Sequence, residues 1–121
     1  MKISECIQMI DELRPNAYGD DQKVRWLSSL DGKIQALVLH TPADEMAHYS
    51  FPEDSERELL AKHPHDGIYP LYLAAMIDFA DGEYSKYQNS MVMFNAAYGE
   101  FAKEYLRDHR YTRPSAQLRL W

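Results

Sequence analysis

The sequence predicts an all-α fold of about four helices, with an antiparallel helical hairpin in the C-terminal half, a long middle loop and an extended C-terminal tail. Three observations carry this expectation. Apolar residues recur at spacings of three and four over most of the chain. Pro15, Pro42 and the Asp81-Gly82 pair fall between the periodic stretches, where they punctuate helices. From Tyr84 to Tyr105 large apolar side chains follow one another with a regularity that only a helix can use. A chain of 121 residues with 45% apolar and 26% charged residues suits one domain with one core.

Each element has its own signal. Ser4 is a good N-cap for a first helix whose Ile3, Cys6, Ile7, Ile10 and Leu13 fall on one stripe, and Arg14-Pro15 ends it. Cys6, the single cysteine, has no internal partner for a disulfide and reads as a small buried hydrophobe. After the turn chemistry of Pro15 to Gly19, Asp20 offers an N-cap and Asp21 favours the first turn of a second helix. Val24, Leu27, Leu30, Ile34, Leu37 and Val38 carry that helix to about His40, and Pro42 stops it.

Residues 42–65 sustain no period. A loop of that length inside a compact domain is usually functional or partly structured. Ser55-Glu56-Arg57-Glu58 matches a capping box and predicts a short helical turn over Glu56 to Lys62, while Tyr49 and Phe51 read as plugs that pin the loop. Asp66 then caps a third helix that is apolar on every face from Ile68 to Ile77, which makes it the central one, with Pro70 tolerated in its first turn. That apolar run is about half of what a bilayer span needs, and the N-terminus begins with neither a signal peptide nor a transit composition, so no membrane partner is expected.

The break at Asp81-Gly82 is short enough to predict the antiparallel hairpin. In the fourth helix Tyr84, Tyr87, Met91, Phe94, Tyr98, Phe101 and Tyr105 alternate spacings of three and four, the seam of a helix packed along its whole length. Four of the seven are tyrosine, which favours a wet rim or an interface. Since the third helix is shorter, the part of the seam from about Tyr98 onward is a candidate contact with a second chain. Beyond it, Leu118, Leu120 and Trp121 alternate with polar residues after Pro114, a pattern suited to folding back or to adding a strand to a neighbour.

The net charge of −6 is unevenly spread. Residues 1–106 hold nine basic and eighteen acidic side chains, whereas residues 107–121 hold four arginines and one aspartate. This divides the chain into a helical domain, 1–106, and a basic tail or docking arm, 107–121. The acidic body argues against nonspecific wrapping of nucleic acid.

Catalytic and cofactor motifs are not in evidence. The phosphate-cradling glycine loops do not occur, and Ser28, Ser29 and Ser90 lie in helical patterns without the strained elbow of a nucleophile. His63-Pro64-His65-Asp66, with His40 and His48, is the one histidine and carboxylate cluster, but its spacing matches no established metal motif. Neither an enzyme nor a cofactor is therefore expected.

Three stretches together, Leu13-Arg14-Pro15-Asn16 to Asp21-Gln22-Lys23, Trp26 to Ile34, and Met91-Val92-Met93-Phe94-Asn95-Ala96-Ala97-Tyr98, resemble a family of short proteins of tailed phages and prophages, the head-tail connector or adaptor proteins. The likeness covers most of residues 4–106, and the middle loop and the Arg-rich tail depart from it. It implies a structural subunit that forms a homo-oligomeric ring between the portal protein and tail or stopper proteins. DNA would pass through the ring without specific binding. The protein would work in the host cytoplasm during assembly and at the virion neck. Tyr98, Phe101, Tyr105, Arg110, Arg113, Leu118, Leu120 and Trp121 are the candidate interface residues. The alternative is a small helical protein-binding or regulatory module using the same faces.

Overall fold

The computed structural model describes residues 1–109, and the tail with Arg110, Arg113, Leu118, Leu120 and Trp121 lies outside the described residues. Four helices follow one another: α1 (Ile3–Leu13), α2 (Asp20–Leu37), α3 (Ile68–Ala80) and α4 (Tyr84–His109). A 3-10 turn at Ala43–Glu45 and an isolated antiparallel bridge between Lys2 and Glu58 are the other regular features among the described residues. The fold is all-α, and α3 and α4 pack closely as the hairpin expected from the short break between them. Gly82, at φ +76°, takes the left-handed backbone that this tight reversal requires. None of the helices is long and apolar enough to cross a membrane.

The apolar stripes meet as their spacing implies. Ile3, Cys6, Ile7 and Ile10 from α1, Val24, Leu27, Leu30 and Ile34 from α2, and Ile68, Tyr69, Leu73 and Ile77 from α3 form one core. Burial pushes the Cys6 thiol up to about 12, so the side chain behaves as an apolar one. Two stripe members fall outside the core: Leu13 and Leu37, each at a helix's last residue, are exposed.

The helix ends differ from the sequence reading in an instructive way. Ser4 is not the N-cap of α1, because Lys2 holds that place and Ser4 lies in the first turn. The helix's first amides are satisfied from far along the chain: Ile3 N–H donates to the Arg57 carbonyl at 3.0 Å and Ser4 N–H to the Ser55 carbonyl at 2.8 Å. Lys2 N–H donates to Glu5 Oε1 at 2.7 Å. Residues 51–56 form turns that lead to the Glu58 bridge beside the start of α1, and the helical turn expected over Glu56 to Lys62 does not form. The amides that would close it are engaged elsewhere: Leu59 N–H donates to the Met1 carbonyl, Leu60 N–H to Asp31 and Ala61 N–H to the Tyr69 hydroxyl. Gly19 rather than Asp20 caps α2, placing both aspartates in its first turn, and the helix ends at Leu37, before His40. Gly67 rather than Asp66 precedes α3. α4 continues three residues past Leu106, so the division by charge falls inside a helix.

Candidate functional site

Three features of the described residues bear on function: the covered seam of α4, the anchored middle segment, and the clefts left open at the surface.

The seam begins as the spacing requires. Tyr72 of α3 lies 5.2 Å from Phe94, centroid to centroid, and Phe79 lies 5.2 Å from Tyr87 and 5.9 Å from Tyr84. α3 has 13 residues to the 26 of α4, so it covers only about half of its partner. The remainder is covered by the middle segment: the His65 ring sits 5.7 Å from Phe101, and Leu60 and Pro64 line the same small cleft with Tyr105. Phe101 is buried in its own chain, while Tyr98 and Tyr105 are half-buried against the core. The exposed large apolar side chains of α4 are Tyr84 at its start, Val92 and Met93 midway, 69% and 59% exposed, and Leu106 near its end.

What holds the middle segment in place is polar. The Asp31 carboxylate, fully buried on α2, accepts hydrogen bonds from the Tyr49 hydroxyl at 2.6 Å, the Tyr69 hydroxyl at 2.6 Å and the Leu60 amide at 3.1 Å. Tyr69 Oη in turn accepts from the Ala61 amide at 2.7 Å. One turn on, Gln35 clamps Ala47 from both sides, its Oε1 accepting from Ala47 N–H at 2.7 Å and its Nε2 donating to the carbonyl at 3.2 Å. Ser28 Oγ accepts from the Tyr49 amide at 3.1 Å. Burial pushes the Asp31 carboxyl above its usual value, although its three donors pull the other way, and burial beside Asp31 raises both tyrosines. Of the two expected plugs, Tyr49 is buried and Phe51 is 43% exposed.

Two further polar groups organise the ends. Asp78, the lone charge inside the apolar α3, pairs with Arg14 and accepts from Ser90 Oγ at 2.9 Å, which ties α1, α3 and α4 together at one point. Lys23, buried on α2, donates to Asp11 Oδ1 at 2.6 Å. Asn16 bridges the turn between them, donating to Asp11 Oδ1 and the Arg14 carbonyl and accepting from the Tyr18 amide.

The sequence carries a signal for these hubs. Asp31 and Gln35 sit on the buried stripe of α2 among Leu27, Leu30, Ile34 and Val38, and a charged or amide residue on an apolar stripe marks a buried anchor. The histidine cluster turns out differently. His63 is exposed, and His65 Nε2 lies 3.0 Å from Glu104 Oε2, close enough to pair with a protonated ring but poorly aligned for a hydrogen bond. Among the described residues no group of three or more His, Cys, Asp or Glu side chains is gathered so as to hold a metal.

The open clefts differ in charge. One of about 360 Å³ lies between the outer flank of α1, the start of α2 and Phe51, and its ionisable lining is Asp11, Glu12 and Asp20. A second, of about 190 Å³, lies between α1, α3 and α4 beside Arg14, and a third beside it is lined by Arg14 and Lys86. The cleft at the end of α4 mixes Lys62, His63 and His65 with Glu104 and Asp108. No family model, curated protein or solved structure matches this chain.

Proposed function

We propose that this chain is a structural subunit of a phage or prophage head-tail connector ring that joins a portal to a tail and lines the passage for DNA. The observation that carries the reading is the set of three stretches, around Leu13 to Lys23, Trp26 to Ile34 and Met91 to Tyr98, that resemble the connector family. What supports it is the work those stretches do. Arg14, Asn16, Lys23 and Asp31, all in the first two stretches, tie the helices and the middle segment together, and the third stretch carries the exposed Val92 and Met93.

The electrostatics agree with the role. A ring whose bodies are acidic presents like charge to a passing polyanion and lets it slide without capture. Assembly of like-charged bodies then needs apolar contacts or an oppositely charged arm, and the chain supplies both in Val92 and Met93 and in the Arg-rich tail. No step of this role requires catalysis.

The test is assembly in the presence of the cognate portal. Multi-angle light scattering and negative-stain electron microscopy of the chain, alone and mixed with portal, are expected to show closed rings seated on the portal. A monomer at every concentration that also ignores the portal would sink the reading in favour of a binding module.

A further inference from the structure

We infer that the acidic cleft on the outer flank of α1 is the seat of the basic C-terminal arm, residues 110–121, of a second copy of this chain. The inference rests on the ring reading above and names the surface that receives the arm.

Charge selects the cleft. Of the four described, it alone has an ionisable lining that is wholly acidic, whereas two of the others carry Arg14 and the last is mixed. Asp11 is already paired with buried Lys23, so Glu12 and Asp20 are the lining carboxylates left to receive the arm. The arm is the complement: residues 110–121 contain Arg110, Arg113 and Arg119 and no acidic side chain. Apolar chemistry matches as well. Ile7 and the exposed ring of Phe51 flank the cleft, and Leu118, Leu120 and Trp121 are the apolar residues that the arm has to cover.

Reach admits a second copy: twelve residues extend to about 40 Å, more than the roughly 35 Å breadth of a compact domain of this size. No residue of α4, from whose end the arm departs, lines the cleft. An arm of opposite sign also offsets the repulsion between acidic bodies that any ring of this chain must overcome.

The experiment uses the full chain with Gln8→Cys and Leu120→Cys, oxidised under mild conditions. Gln8 lines the cleft and is exposed, and buried Cys6 stays out of the reaction. Covalent dimers and larger species are expected, in excess of those formed by a control pair of Asn95→Cys and Leu120→Cys, since Asn95 is exposed on α4. Adding Glu12→Lys and Asp20→Lys should cut the yield roughly fivefold, the usual worth of two exposed ion pairs. Combining these with Arg113→Glu and Arg119→Glu should restore it. Raising salt should lower the wild-type-charge yield without any change of sequence, which covers the case of a charge variant that folds poorly. A yield no greater than the control, indifference to the charge swap, or a cyclised monomer in place of dimers would each overturn the inference. Rings seen by light scattering without this cross-link would remove the arm's seat and leave the ring reading intact.

Discussion

The middle segment and α4 are held by opposite means. Residues 42–67 have almost no regular structure, yet they are fixed by buried polar anchors: Asp31 holds Tyr49 and Leu60, Gln35 holds Ala47, and Ser28 holds Tyr49. α4 satisfies its own backbone through 26 residues and needs only its seam to stay in place. An irregular segment has no ladder of its own, so the backbone groups it buries need partners from elsewhere in the chain, and these tie it to one position. A regular helix has no such need, so its outer face with Val92 and Met93 stays exposed. In this molecule the irregular part belongs to the scaffold and the regular part offers surface.

The contrast can be broken most sharply at Asp31. Asp31→Ala leaves two buried hydroxyls and one amide without their acceptor, and should cost on the order of 3–5 kcal/mol in urea unfolding. A loss under 1 kcal/mol would show that the anchor is not what holds the segment. Next comes the seam: Phe94→Ala, which empties a buried site facing Tyr72, should cost about 3 kcal/mol by the same measurement. Gln35→Ala should cost about 2 kcal/mol and expose residues 42–48 to limited proteolysis while the far-ultraviolet circular dichroism stays unchanged. At the small end, Val92→Ser with Met93→Ser should leave stability within about 0.5 kcal/mol. The same pair should weaken assembly measured by sedimentation, and unchanged sedimentation would remove this face from the interface.

The pH dependence of stability sharpens the comparison further. The folded-state pKa of Asp31 lies above its ordinary value of 3.8, so between the two the folded chain binds a proton that the unfolded chain has released. Its contribution is therefore greatest below the unfolded value and is lost as pH rises through the folded one. Asp31→Asn should abolish that downward component of the stability profile, measured by thermal unfolding across acid to neutral pH.

How much of this was legible follows from distance along the chain. The four helices, the hairpin and the central place of α3 are local matters of spacing and punctuation, and they stand as read from Ile3, Val24, Ile68 and Tyr84 onward. The cover for Phe101 is not legible in the sequence, because it comes from His65, in a segment with no period of its own. The sequence points to Ser4 as the cap of α1 because it shows only nearby side chains, whereas the acceptors are backbone carbonyls more than fifty residues away. Backbone groups carry no residue identity, so no motif announces them.

The stitching of α1 to residues 55–59 has a consequence for how the molecule opens. Eleven residues are too few for a stable isolated helix, and the amides of Ile3, Ser4 and Leu59 are all bonded across the same seam, the last to the Met1 carbonyl at 2.9 Å. These three amides should exchange with deuterium at one common rate, through one shared opening event, although two belong to a helix and one to a loop. The first turn of α1 and residues 55–59 beside it are thus expected to open as one unit, and that unit adjoins the acidic cleft on the same helix.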